Sequence, residues 1–556
     1  MTASPPKTFL RQTEWMVAIL TTVIALWLHF LYLIHAGGLW RDELCVKNIA
    51  TLPSFDQVWE ALPHDHCPIL FLSLVRIWSA TGLGTTDMGL RILGLGCGLL
   101  LLAAFWVASR TMNRGLPLLS VTLAGLNFTI IRFGDSIRAY GLATAFVLIM
   151  MSLVWRFIET PNMRRGLLAG MVAVLSVQTL YQSAVFVLAI CIAGAAVCIR
   201  QHQQRKAIGV LSMGLPAALS LLPYVNPLRN AQSWWVVSKT GMTLDIFLNR
   251  IGQATGGLAS TWLVLVILAA LFGIGRALIK TSPDETRIQQ DLLLFASLAL
   301  VIGVAGFGFF IKLTGLPTQV WYYILAMGFA VVCCDVIYSS DGFRSCCDVI
   351  FPRIHQGARI GVLVTAVVVA SLAFISQSIL KWRQTNGDLV AAQVSKNADP
   401  NDLIIVHPWH NGITFEHYYH GAAPWTTLPP LSDHRFHRYD LIKSKIQMTN
   451  AIEPVLKQVE ATLRSGHSIW LVGKILVPRP NADPPADLPP APNGPQGWAE
   501  QPYMDAWSTR LGYFLVCHTT NAVTLVNPRT NSVSPLENLP LVITSGWRSP
   551  IQPDSP

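Results

Sequence analysis

Gly37-Gly38-Leu39-Trp40-Arg41-Asp42-Glu43-Leu44 follows directly on an apolar run, residues 15–36. That run is long enough to cross a bilayer as a helix. Asp42 and Glu43 therefore stand close to the point where the helix surfaces. Charge at such a depth is costly unless it faces a wet cavity or a polar ligand. The pair reads as the floor of an active site at the membrane surface, with a general base and a neighbour that steadies the acceptor or a metal ion. The plainer reading is a turn that caps the next helix, because acidic residues favour helix N-termini.

The remainder of the chain fits a membrane setting. Its 556 residues are 52% hydrophobic and 13% charged, and a soluble domain carries about twice that charge. Apolar runs recur at 15–36, 88–108, 116–133, 139–157, 166–181, 183–200, 207–226, 259–279, 291–312, 319–338 and 359–378, which predicts about eleven membrane helices. The first run lacks a small-residue cleavage site, so it is expected to stay as an anchored helix. Segment 68–83 is short and carries Arg76 in its middle, which suits an interfacial helix. With that segment outside the count, basic residues fall on one side. Lys7/Arg11, Arg110/Arg114, Arg156/Arg164/Arg165, Arg200/Arg205/Lys206, Arg276/Lys280/Arg287 and Arg344/Arg353/Arg359 all become cytoplasmic. This is the pattern the positive-inside rule requires, and the net charge of +10 then needs no nucleic acid to explain it. The outer loops are 37–87, 134–138, 227–258 and 313–318, with the N-terminus inside.

The expected organisation is a membrane-embedded domain, 1–379, and a small extracytoplasmic α/β domain, 380–556. In the latter, Asp402 to His407, Ser468 to Val472, Tyr513 to Cys517 and Ala522 to Val526 read as buried strands. Asp440 to Arg464 reads as one amphipathic helix stopped at Ser465-Gly466. The Pro-rich insert 478–495 reads as a flexible or polyproline excursion.

Polar residues gather at the outer ends of the runs. His64-Asp65-His66-Cys67-Pro68 precedes the interfacial segment and offers contacts to a phosphate or an acceptor, or an ordinary turn. Arg132, Asp135, Arg138 and Tyr140 lie between two runs on the outer side, where the sidedness of basic residues does not account for a guanidinium. Arg138 suits a lipid phosphate, which arginine grips through its planar fork. The plainer reading is a salt bridge from Asp135 to Arg132 or Arg138 that joins two helices. Tyr181, Gln182, Lys312, Gln319 and Tyr322 line an outer cavity or belong to the aromatic interfacial belt. Trp234-Trp235 in the 227–258 loop either stacks on a sugar ring or joins that belt. Six of the fourteen histidines, His407, His410, His417, His420, His434 and His437, crowd together with Glu416. A metal site there is weaker than a polar cleft, because the loop context fixes no ligand geometry. Cys45 and Cys67 bracket the first outer loop and suit a disulfide. Cys333-Cys334-Asp335-Val336-Ile337 recurs as Cys346-Cys347-Asp348-Val349-Ile350, a coincidence of composition or an acylation site.

The order of these motifs resembles the GT-C class of integral-membrane glycosyltransferases, in the branch that holds protein O-mannosyltransferases, lipid A aminoarabinose transferases and bacterial polyprenyl-phosphate sugar transferases. Asp42-Glu43 follows the first helix. His66-Cys67-Pro68 and Arg76-Ile77-Trp78 come next, then Gly89-Leu90-Arg91-Ile92, then Arg138-Ala139-Tyr140. The resemblance implies a sugar moved from a polyprenyl phosphate to a glycan, lipid or protein acceptor, with inversion. It implies Asp42 as the catalytic carboxylate, Glu43 as its neighbour, and His66 and Arg138, with His64 and Tyr140, at the donor phosphate. Arg76 and Arg91 join the cavity-lining group. It specifies no cofactor, and a divalent metal ion near Glu43 is compatible with it. The chain has Gln319-Val320-Trp321-Tyr322 and Tyr181-Gln182 where the family often carries Arg-Tyr and a histidine. The competing class is a non-enzymatic membrane protein: a flippase or transporter of lipid-linked glycans, or an inactive relative. A transporter would place its polar groups at mid-span, whereas here they collect at helix ends. The setting expected is a bacterial inner membrane.

Overall fold

The computed structural model describes residues 7–549 except 66, 113–114, 236–242, 279–286, 316–317, 341–342, 344–353, 480–482 and 492–498. The chain divides into two compact units. The first comprises Met1–Ile34, His66–Val225 and Gly241–Leu380; the second comprises His35–Asp65, Asn226–Thr240 and Lys381–Pro556. The second unit thus takes in Asp42 and Glu43.

The first unit is helical. Among the described residues, eight helices are long and apolar enough to cross a membrane, from Arg11–His35 to Val320–Tyr338. The chain is an integral membrane protein. The first helix shows why. Leu20, Val23, Phe30 and Ile34 on its outer face are about half exposed, while Ala25, Leu28 and Leu31 on its inner face are buried. A helix apolar on both faces is stable only where its outer face meets lipid. The segment Ile69–Ala80 has 12 residues. At 1.5 Å per residue it extends about 18 Å, short of the hydrocarbon core.

The run 116–133 is not one continuous helix. It breaks into a π turn at Ser120–Ala124 and a short helix, Phe128–Gly134. Asn127 causes the break, because its side chain accepts hydrogen bonds from the Thr129 and Ile130 amides and starts a new helix there. Asp335, an acidic residue within a span, has a matching purpose. Its carboxylate accepts from the Leu119 amide at 2.7 Å and the Ser120 amide at 2.8 Å, which satisfies donors that the broken backbone exposes. The run 166–181 forms the 17-residue helix Met163–Thr179. Most of the run 359–378 lies in the helix Ile354–Leu380. Within the loop 227–258, Leu244–Ala254 is helical. Cys346 and Cys347 lie outside the described residues.

The second unit is built on a five-stranded sheet of order β2-β1-β3-β5-β4. The strands are β1 (Leu403–Val406), β2 (Trp425–Thr427), β3 (Ile469–Val472), β4 (Thr519–Val526) and β5 (Leu541–Trp547). β1 pairs in parallel with β2 and β3, and β5 joins β3 and β4 antiparallel. Alternate residues of β1 and β3 feed two cores. Leu403, Ile405, Ile469 and Leu471 pack with Val455, Val459, Leu511 and Leu515, whereas Ile404, Val406, Trp470 and Val472 pack with Val390, Val394 and Phe415. Burial on both faces accounts for their unbroken apolar sequences.

Two expectations for this unit need correction. Tyr513 to Cys517 is the end of the helix Glu500–His518, not a strand. Its apolar run continues a helical period in which Tyr503, Met504, Trp507, Leu511 and Leu515 are all buried. Asp440 to Arg464 is two helices, Tyr439–Ile446 and Glu453–Arg464, separated by a turn. The described part of the Pro-rich insert, 483–491, has no helix or strand, yet it is tied down. Tyr503 donates to the Pro489 carbonyl at 2.6 Å, and Arg510 binds Asp487 at 2.9 Å. The disulfide that the placing of Cys45 and Cys67 allowed is not formed; both are buried thiols.

Candidate active site

Local backbone chemistry sets the position of Asp42. Gly37 has φ +72°, in the left-handed region that glycine occupies without strain. An added Cβ there would stand 2.4 Å from the Arg383 guanidinium carbon. The two glycines let the chain turn tightly out of the first helix and into the helix Arg41–Ala50. Glu43 is fully buried and turns back to accept the Trp40 amide at 3.3 Å. It has the capping function that the plainer reading gave to the pair.

Asp42 points elsewhere. Its Oδ1 lies 3.3 Å from His437 Nε2 and 3.7 Å from Arg41 Nε. Arg41 is itself anchored: it donates to the Leu536 carbonyl at 2.8 Å and to Glu537 Oε2 at 3.3 Å. Glu537 is buried, and it also accepts from the Thr385 and Thr414 hydroxyls at 2.9 and 2.6 Å. Burial raises its pKa and the Arg41 guanidinium opposes that shift. The carboxylate of Asp42 thus sits between a fixed cation and an imidazole.

More histidines surround this pair. Burial holds His410 well below the usual imidazole range; Arg41, His437 and His407 push it further down and Asp42 opposes them. Trp409 meets His410, His437 and Tyr439 edge-on, with centroids 5.7, 6.2 and 5.4 Å away, and it donates from Nε1 to Glu500 Oε1 at 2.5 Å. His64 lies face to face with Trp234, centroids 5.2 Å apart, and its Nδ1 is 3.1 Å from the His437 carbonyl oxygen. Burial lowers the His64 pKa against the pull of Asp440.

The other crowded histidines do separate work. His407 Nδ1 meets the Leu428 carbonyl at 3.1 Å, His434 packs on the Trp425 ring, and His417 faces Lys47 at 3.4 Å. Among the described residues no three His, Cys, Asp or Glu side chains are grouped to hold a metal ion.

In the first unit a second buried polar cluster forms. Asp135 pairs with His29 at 2.8 Å, a different partner from the arginines expected for it. Arg91 donates to the Tyr32 hydroxyl at 3.4 Å, with its guanidinium over that ring. Arg132 donates to the Ile379 carbonyl at 2.8 Å, near the end of a helix where a cation is favoured. Arg138 lies over the Tyr140 ring at 5.9 Å, and Tyr140 meets Tyr322. Tyr181 contacts Tyr224, and Gln182 is buried. Arg76 and Gln319 are partly buried and Lys312 is exposed. His66 lies outside the described residues.

Sequence reading did not pair His437 with Asp42, Glu537 with Arg41, or His29 with Asp135. These partners are 395, 496 and 106 residues apart, and no local pattern marks them.

No family model matches the chain, and no curated protein matches it. Solved structures do. ArnT from Cupriavidus metallidurans bound to undecaprenyl phosphate is similar at TM-score 0.47 and 12% identity, over 83% of this chain and 93% of that one. The same protein in its apo state gives 0.49 and 11% over the same shares. An oligosaccharyltransferase of Archaeoglobus fulgidus, tethered by a disulfide to an acceptor peptide with the NVT sequon, gives 0.48 and 11%. That match covers 98% of this chain and 74% of the archaeal one.

Proposed function

We propose that this protein is a membrane glycosyltransferase of the GT-C kind, taking a sugar from a polyprenyl phosphate and passing it to an extracytoplasmic acceptor. The observation that carries this reading is the setting of Asp42. It is a carboxylate just past the first apolar helix, held between Arg41 and His437 and not spent on capping. The order of motifs in the first 150 residues supports the same reading.

In the proposed step Asp42 accepts the proton of an acceptor hydroxyl as that oxygen attacks the anomeric carbon. The bond from that carbon to the phosphate oxygen breaks, and the electron pair leaves with the polyprenyl phosphate. The configuration inverts. Because the leaving group is a phosphate, no strong general acid is needed; cationic side chains stabilise it instead. Arg138 is the residue we assign to the donor phosphate. His64 and Tyr140 are further candidates, as is His66.

Purified protein in nanodiscs, given radiolabelled polyprenyl-phosphate sugars and a panel of glycan, lipid and peptide acceptors, tests this directly. Label should appear in one acceptor class with inverted configuration. Arg138→Ala should raise the donor KM about tenfold or more and leave the acceptor KM within about twofold. Retained donor binding in that variant would remove Arg138 from the donor site. Absence of transfer across the panel would favour a non-catalytic relative.

A further inference from the structure

We propose that His437 is a positioning residue for Asp42: its neutral imidazole donates from Nε2 to Asp42 Oδ1 and fixes the carboxylate in the orientation that accepts the acceptor's proton. The inference rests on Asp42 being the base.

The geometry selects this arrangement. His437 Nε2 is 3.3 Å from Asp42 Oδ1. Its Nδ1 is buried and has no hydrogen-bond partner. A neutral imidazole carries one N–H, and only the Nε2 side offers that hydrogen an acceptor. A second proton on Nδ1 would be a buried donor without a partner, which is unfavourable. The ring is further held by Tyr439, stacked at 6.0 Å, and by the edge of Trp409 at 6.2 Å. Glu500 and His410 also interact electrostatically with His437. Burial raises the pKa of Glu500 and lowers that of His410. Arg41, whose Nε stands 3.7 Å from the same Asp42 oxygen, is locked to Glu537. Asp42 Oδ1 is therefore braced by two groups that each have anchoring contacts of their own. Reacting groups lose rate steeply when a base is misplaced by about 1 Å, so such bracing has a kinetic consequence.

His437 lies in the loop before the helix Tyr439–Ile446, within the sheet-bearing unit. That unit thereby supplies a part of the proton-accepting machinery in addition to any acceptor surface. Nothing in the order of motifs near the first helix points to this residue.

Two measurements on the full-length protein test the inference. In the transfer assay, His437→Ala should lower kcat about 10- to 100-fold with the donor KM within about twofold. His437→Gln, whose amide can still donate, should recover most of that loss. Asp42→Asn/His437→Ala should be no slower than Asp42→Asn alone. An unchanged kcat in His437→Ala, or full additivity in the double variant, would overturn the inference while leaving Asp42 as base if Asp42→Asn is inactive. An active Asp42→Asn would instead overturn the base assignment itself.

The second measurement needs no turnover. Nitrogen NMR of protein labelled at histidine, with the His437 signal identified by its loss in His437→Gln, should show the Nε2–H tautomer at neutral pH. That signal should shift in Asp42→Asn. An imidazolium, the Nδ1–H tautomer, or indifference to Asp42→Asn would sink the proposal.

Discussion

At the scale of single residues, two neighbouring carboxylates have divided their work. Glu43 is buried and caps its helix, whereas Asp42 faces Arg41 and His437. Asp42→Asn keeps the size of the side chain and removes the base. It should cut kcat by about 10²–10⁴ while thermal unfolding moves little, as read by transfer rate and tryptophan fluorescence. Glu43→Ala should do the reverse in kind. Loss of the cap should cost about 1 kcal/mol of stability, visible as a lower melting temperature. Glu43→Gln, which still offers an oxygen to the Trp40 amide, should melt close to the parent. The pair was legible as chemistry because charge at a helix exit is rare. Which member did which was not legible, since both stand in the first turn and only their partners differ.

At the scale of elements, small residues and buried imidazoles decide stability. The helix Asp87–Met112 brings Gly98 so close to Asp135 that an added Cβ would lie 1.7 Å from Oδ1, whereas Gly96 has nothing within 4 Å. Gly98→Ala should therefore destabilise the membrane unit by about 1–3 kcal/mol through overpacking, with Gly96→Ala neutral or better, measured by unfolding in detergent. In the sheet-bearing unit, burial pulls His407 and His434 down to about 4, from an ordinary value of 6.5. A folded pKa below the unfolded one favours the neutral ring, so the stability it brings is complete above pH 6.5 and is lost as pH falls towards about 4. Hydrogen exchange or melting of the full chain should show the sheet-bearing unit weakening through that window. Stability that stayed level between those pH values would contradict the assignment. The strands β1 and β3 were legible from their apolar runs. β5 and the split of 440–464 were not, because both depend on which surface each residue meets.

At the scale of the whole molecule, the eight apolar helices among the described residues fix the medium, and the basic residues predict the orientation. With the N-terminus inside, the positive-inside rule predicts that Arg110, Arg156, Arg200 and Arg276 face the cytoplasm. Single cysteines introduced at Arg164 and Arg205 should be protected from an impermeant maleimide in intact cells. One at Lys457, in the sheet-bearing unit, should react. Labelling of the first two sites would invert the assigned sidedness and move the proposed transfer to the other leaflet.

Hydropathy is summed over neighbours in the chain, so the sequence by itself determined that this is a many-helix membrane protein with a small α/β part near its C-terminus. It also marked Asp42 and Glu43, because an acid at the end of a membrane helix needs a reason wherever it occurs. Only the tertiary structure decided what those acids touch. His437 reaches Asp42 and Glu537 reaches Arg41 across several hundred residues. Such pairings are made by packing around a shared core, and no local periodicity records them.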